Sequence, residues 1–220
     1  MNETDKKLVW EAYKSLSDGQ NHFNDLENKY RTLAATWMLA YFAGIGFMLT
    51  LDPSRSVASR EYIIIALSVL HSFGIWMLWN IDIRVYHRLL DSLFVEALQM
   101  ERVHEWLPQV RTKMVFSQYV NVHHVKPEAG VMSRIRLFYA SGIGVSLLIA
   151  CGFLMASAVV QPSLQSLGVL IAFALASLLW VRYVLRHSTS PILSAWILRE
   201  KPAAIVRLQR TFEAERLASK

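Results

Sequence analysis

Residues 71–92 read HSFGIWMLWNIDIRVYHRLLDS. The first half has the composition of a membrane span. The second half carries Asp82, Arg84, His87, Arg88 and Asp91, and no Pro or Gly separates the halves after Gly74. A span ending in an ordinary loop would show a breaker at that boundary. The continuity instead predicts a helix that leaves the bilayer and runs on as a charged surface helix.

Outward from this stretch, apolar residues come in blocks. Leu33 to Leu51 carries no charge over 19 residues, Tyr62 to Ile81 none over 20 apart from the titratable His71, and Leu137 to Val181 none over 45. A bilayer core about 30 Å thick is crossed by about 20 helical residues. The last block therefore holds two crossings, broken at Gln161-Pro162-Ser163, where Pro cannot continue a helix interior. Four spans follow, near 33–51, 62–81, 137–160 and 167–186. Hydrophobic residues make up 54% of the chain, above the roughly 45–50% of soluble domains. A soluble bundle of greasy helices is the competing fold, and uncharged blocks of this length disfavour it.

Orientation follows from Lys and Arg. Residues 1–32 hold 5, 52–61 hold 2, 82–136 hold 8, 161–166 none and 182–220 hold 8, so one arrangement divides them 21 against 2. The positive-inside rule makes the rich side cytoplasmic, with both termini on it. Trp37, Trp76, Trp79 and Trp180 fall near the cytoplasmic ends of their spans, as an aromatic belt requires. The net charge of +6 is thus a topology signal, and nucleic acid is not an expected partner. No cleavable signal peptide is expected in the polar first thirty residues.

The expected fold class is an all-α membrane protein: four transmembrane helices with long cytoplasmic helical extensions. Its segments are cytoplasmic N-terminal helices (1–32), a first transmembrane hairpin (33–81), a cytoplasmic helical segment (82–136), a second hairpin (137–186) and a basic amphipathic tail (187–220). Leu8, Val9, Ala12, Tyr13 and Leu16 predict a first short helix that stops at Ser17-Asp18-Gly19. A second helix capped by Asn21 then carries Phe23, Leu26, Tyr30, Leu33, Trp37 and Ala40 in one stripe. Trp79, Ile83, Tyr86, Leu90, Leu93, Ala97, Met100, His104 and Leu107 repeat at alternating spacings of 4 and 3, a coiled-coil-like seam that ends at Pro108. As one helix from Tyr62 to Leu107 it would be about 70 Å long. Arg88 with Asp91 and Arg102 with Glu105 stand at ion-pair spacing on its flanks. A partner surface must cover the seam, either the extension of the first span or a neighbouring copy. Ser133 is placed to cap the helix leading into the third span. In the tail, Ile205, Leu208 and Phe212 lie beside Arg207, Arg210 and Arg216, a stripe suited to an anionic membrane face or a protein partner.

His71 is the sharpest candidate for function, because an ionisable group at mid-span is costly. It would line an aqueous path or carry a proton, or else form a neutral hydrogen-bonded bridge between helices. Asn80, Asp82, Arg84, His87 and Arg88 form a charged cytoplasmic mouth. With Asp91 it would gather ions, bind lipid head groups, or pair with Arg182 and Arg186 of the fourth span. Gly44, Gly46, Gly142 and Gly144 offer close helix packing, and Ala43-Gly44-Ile45-Gly46 matches Ser141-Gly142-Ile143-Gly144 as a hint of internal duplication. His123-His124 with Glu128 or His104 makes a poor metal set, since adjacent histidines do not share a helix face. The lone Cys151 lies inside a span and offers no disulfide framework. No catalytic order, nucleotide fingerprint or metal box stands out, so no enzyme activity, cofactor or metal is expected.

The function expected is that of an oligomeric inner-membrane protein of channel or pore type. It would change permeability under control of its cytoplasmic helices, with the economy of bacterial stress or phage-defence effectors. The alternative is a non-catalytic anchor or scaffold for a cytoplasmic protein partner. A transporter subunit or lipid-modifying enzyme would need more mid-membrane polar residues than His71 alone.

Overall fold

The computed structural model describes residues 2–51, 60–114, 131–160 and 162–187, with the backbone alone at 131–133. Helix α1 (Glu3–Thr50) begins with a reciprocal cap. The Asn2 side chain accepts the Asp5 N–H at 2.8 Å, and the Asp5 carboxylate accepts the Asn2 N–H at 3.3 Å. Helix α2 (Arg60–Trp79) passes into a π-helix (Asn80–Tyr86) and then α3 (His87–Val103). Helix α4 (Val131–Val160) and helix α5 (Leu164–Arg186) complete the set. Among the described residues all regular structure is helical. Four helices are long and apolar enough to cross a membrane: Glu3–Thr50, Arg60–Val103, Arg134–Val160 and Leu164–Arg186. That is consistent with a multi-pass membrane protein.

Helix α1 runs through Ser17-Asp18-Gly19 without the expected stop, and Asn21 caps nothing. Ser17 bonds back to the Tyr13 carbonyl at 3.0 Å within the helix. A Cβ at Gly19 would come 3.0 Å from Leu93 Cδ1, so glycine here permits a close neighbour rather than a turn. The α4 backbone begins at Val131, ahead of the expected cap at Ser133. The break at Pro162-Ser163 stands where it was expected. Ser163 caps α5, its side chain accepting the Ser166 N–H at 3.0 Å. Residues 52–59, the pair His123-His124, Glu128 and the amphipathic tail lie outside the described residues.

Of the described residues, those before 27 and those from 85 to 114 form one compact unit. Its apolar centre is Tyr13, Ala97 and Leu107, with Val9, Leu16 and Met100 against it. Nearby pairings run antiparallel: Tyr13 to Glu101, Gly19 to Leu93, Phe23 to Tyr86. The first half of α1 therefore covers the part of the seam in this unit, from Tyr86 onward. All nine seam positions are buried or half-buried, but the helix ends at Val103, five residues before Pro108, and residues 110–114 restart a helical turn. Glu105 thus stands beyond the helix that was to pair it with Arg102. Asp91 faces His87 at 3.8 Å.

Glu101 organises this unit. Its carboxylate accepts Tyr13 Oη at 2.7 Å, the backbone N–H of Arg111 at 3.0 Å, and the N–H and hydroxyl of Thr112 at 2.9 and 2.8 Å. A side chain from α3 thereby caps the helical turn at 110–114. Arg111, buried beside it, donates to Gln20 Oε1 at 2.7 Å and Ser17 Oγ at 2.7 Å, and its guanidinium lies 4.6 Å from the centre of the Tyr13 ring.

Burial first, then the bond to Glu101, push the Tyr13 phenol up to about 12 from its ordinary 10.0. A folded value above the unfolded one contributes stability that is complete below about pH 10 and lost as pH rises through about 12. The denaturant midpoint of the wild-type chain should therefore fall more steeply across that window than the midpoint of Tyr13→Phe. Superimposable profiles would mean that the hydroxyl ionises freely in the folded chain.

The remaining described residues form the second unit, in which α4 packs against both α2 and α5. One core cluster holds Ala34, Ile75, Trp79, Ile83, Tyr139 and Ile143 among others, and a second holds Tyr41, Ile45, Met48 and Ile64. The buried stripe of α1 is therefore Ala34, Tyr41, Ile45 and Met48. Leu33, Trp37 and Ala40, expected on the stripe, are exposed one position away from it. Large apolar residues point outward all round, among them Leu39, Phe47, Leu70, Leu148 and Leu178. Water would not tolerate that surface on a monomer, whereas acyl chains solvate it.

Candidate functional site

The buried face of α2 consists of Ile64, Ser68, His71, Ser72, Ile75 and Trp79. These are three or four apart, apart from the neighbours His71 and Ser72, and so share one helix face. Its polar members gather at one level. Ser68 gives its proton to the Ile64 carbonyl at 2.8 Å, which leaves Tyr41 as donor to the Ser68 hydroxyl at 2.8 Å. Ser72 and Ser146 of α4 share a 2.8 Å bond, while Ser72 also lies 2.8 Å from the Ser68 carbonyl and Ser146 2.9 Å from that of Gly142. The hydroxyls of this layer are satisfied.

His71 is the exception. It is 3% exposed and its ring stacks on Tyr41, 4.2 Å between centroids and 23° between planes. Neither Nδ1 nor Nε2 has a hydrogen-bond partner among the described residues. A neutral imidazole carries one donor and one acceptor, and a buried polar atom left unpaired costs about 1–3 kcal/mol. Among the described residues His71 makes no interhelical hydrogen bond. The ring is held by stacking on Tyr41, with both nitrogens buried and without a hydrogen-bond partner among the described residues.

Toward the π-helix the interior turns apolar. Ile75, Trp79 and Ile143 of the first core cluster lie along α2 and α4 between the level of the Ser72–Ser146 bond and that of the Tyr139–Asp82 bond. There Asp82 is wholly buried, because the i→i+5 bonding of the π-helix turns both Asp82 and its neighbour Ile83 inward. Its carboxylate accepts Arg31 Nε at 3.0 Å, Arg31 Nη2 at 3.3 Å and Tyr139 Oη at 2.9 Å. Arg31 Nη2 also donates to Glu27 at 2.6 Å. One guanidinium thus forks between two buried carboxylates, and the Asp82 carboxylate, bonded to both Arg31 and Tyr139, ties α1, the π-helix and α4 together.

The expected mouth residues each make contacts of their own. Asn80 bonds back to the Trp76 carbonyl at 2.9 Å, Arg84 reaches Tyr183 Oη at 3.1 Å, His87 faces Asp91, and Arg88 is exposed. Asp82 takes its cation from Arg31, not from Arg182 or Arg186, which are exposed. The four expected packing glycines also differ. Gly142 lies against Met38 and Ile75, and Gly144 makes ordinary contact with Val181. Among the described residues nothing lies within 4 Å of where a Cβ would be at Gly44 or Gly46, while Gly74 sits against the Trp37 indole, 3.0 Å from where a Cβ would be.

The residues that sequence patterning left out are Glu27, Arg31, Tyr41, Ser68, Ser72, Tyr139 and Ser146. Glu27 with Arg31 stands at i,i+4, and Ser68 and Ser72 flank His71 on its own face, so those two signals were available. Tyr139 and Ser146 carry no local signal. Among the described residues no three His, Cys, Asp or Glu side chains converge as a metal site. Compared with protein-family models, with curated proteins and with solved structures, the chain gives no match.

Proposed function

We propose that this chain is an oligomeric multi-pass protein of the cell inner membrane, with both termini cytoplasmic, that alters membrane permeability under control of its cytoplasmic helices. One observation carries this reading: a mid-span histidine, enclosed on α2 beside three serines and a tyrosine, with both ring nitrogens unpartnered. Ionisable groups at such depth are rare, and they mark proton or ion pathways. An imidazole can take up or release a proton when water reaches it, which suits a proton carrier or a charge-sensitive constriction. The apolar layer of Ile75, Trp79 and Ile143 would hold such a path shut in this conformation, and a control element would have to displace it. Orientation rests on the Lys/Arg asymmetry of 21 against 2.

The test is ion flux from liposomes carrying the purified protein, at neutral and mildly acidic pH, beside His71→Leu. Flux that disappears in the variant, with helix content and assembly size unchanged, is the expected result. Equal flux from both proteins would remove His71 from the path.

A second reading is favoured by a different observation, the self-contained network around Glu101 and Arg111 in the unit formed by the first part of α1 and α3. A unit with its own buried ion pair and apolar centre is suited to presenting a surface, and the spans would then serve as an anchor for a cytoplasmic protein partner. Liposomes that stay tight under every condition, with correctly folded protein, would favour this alternative.

A further inference from the structure

Between α1 and α4, wholly within the second unit, lies an open groove of about 510 Å³. Its polar lining is Asn28, Arg31, Thr32 and Arg134, and its apolar lining is Ala35, Ile135 and Phe138. On both helices the order is the same. On α1, Asn28, Arg31 and Thr32 precede Ala35. On α4, Arg134 precedes Ile135 and Phe138. Both helices then continue into their uncharged blocks, which begin at Leu33 and Leu137. Two separate helices thus present charge and hydrogen-bond donors at one end of the groove and hydrocarbon at the other, at the depth where a bilayer changes from head groups to acyl chains.

The charge in this groove is not balanced by its lining. Arg31 is engaged by Glu27 and Asp82. Arg134 is exposed and has no carboxylate or hydrogen-bond partner among the described residues, and no acidic side chain lines the groove. Asn28 and Thr32 are also exposed. Basic pockets between spans, at head-group depth, suit anionic lipid head groups.

We infer that this groove binds one anionic phospholipid. Its phosphate sits at Arg134, within reach of the Asn28 amide and the Thr32 hydroxyl, and an acyl chain lies over Ala35, Ile135 and Phe138. A guanidinium suits a phosphate because its planar fork donates two parallel bonds. The inference rests on the membrane reading of the four helices and is independent of whether the protein conducts.

The experiment titrates the detergent-purified, delipidated full chain with phosphatidylglycerol and, separately, with phosphatidylcholine of the same acyl chains, counting retained lipids by native mass spectrometry. Phosphatidylglycerol should be retained in preference, and Arg134→Gln should weaken that preference roughly fivefold, the weight of one basic residue near an anionic surface. Arg134→Lys should keep most of it. Ala35→Phe, which narrows the groove without touching a charge, should lower retention of phosphatidylglycerol while helix content is unchanged.

Equal retention of the two lipids by the wild-type chain would overturn the proposal, as would an Arg134→Gln variant that binds like wild type. Displacement of the lipid by millimolar inorganic phosphate alone would assign the groove to free phosphate instead. A change of oligomeric state in these variants without any lipid preference would give the groove to a second copy. Flotation with phosphatidylglycerol vesicles separates the two levels of failure. Protein that does not float refutes the membrane reading itself, and protein that floats without lipid preference refutes only the groove.

Discussion

Glu101→Ala is expected to destabilise the unit built from the first part of α1 and α3 by about 3–5 kcal/mol, the usual cost of removing one partner from a buried charge pair. The size follows from how much depends on one carboxylate. Arg111 would stay buried without its counter-charge, which lies at 3.7 Å. The turn at 110–114 would lose the acceptor for two of its first N–H groups, and the Tyr13 hydroxyl would keep only the Pro108 carbonyl at 3.0 Å. A small domain is stable by only about 5–15 kcal/mol in total, so hydrogen exchange across residues 3–26 and 87–114 should accelerate strongly. Glu101→Gln keeps an acceptor oxygen but loses the charge, and should fall between wild type and Glu101→Ala. A loss below about 1 kcal/mol in the alanine variant, from urea midpoints, would mean that water replaces the carboxylate at little cost and that the network does not hold the unit together.

Asp82→Ala should cost about 3 kcal/mol, toward the lower end for a broken buried pair, because Arg31 would keep Glu27 and its side chain is 25% exposed. Much of the loss comes from Tyr139, which is wholly buried and would lose the carboxylate that its hydroxyl donates to. Tyr139→Phe alone should cost about 1 kcal/mol, the net worth of one hydrogen bond. A double-mutant cycle of Asp82→Ala with Arg31→Met should return a coupling of about 1–3 kcal/mol. Thermal unfolding in detergent measures all three. Additive losses would show that the π-helix does not need its link to α1.

Much of this fold was legible from composition alone. Uncharged blocks of about 20 residues imply helices in a bilayer, because in hydrocarbon every backbone N–H and C=O must be satisfied within its own segment. The break at Pro162 was readable for the same local reason, a missing N–H and a fixed φ. The continuation of the second span into α3 was readable because its seam never lapses. Where local signals misled, tertiary contact had overridden them. Gly19 resembles a stop, yet α1 passes through it, and Leu93 packs 3.0 Å from where a Cβ would be. The stripe through Leu33, Trp37 and Ala40 was one position off because apolar residues ring a membrane helix, so periodicity no longer tells the buried face from the lipid face.

Of the candidate site, His71 was visible as the one residue among Asp, Glu, Lys, Arg and His inside an apolar block, and Asp82 as a charge at its edge. Their surroundings were not visible. Local sequence determined which segments are helical, which of them are greasy enough to cross a bilayer, and where charge is concentrated, since these depend on neighbours within a turn or two along the chain. Only the tertiary structure decided that Arg31, 51 residues away, is the cation for Asp82. It likewise decided that Tyr41 stacks on His71, that Glu101 caps a turn it does not belong to, and that Arg134 faces a groove without a counter-charge. Such pairings are selected by which helix faces meet, and helices packed side by side join residues whose separation in the chain carries no periodic signal.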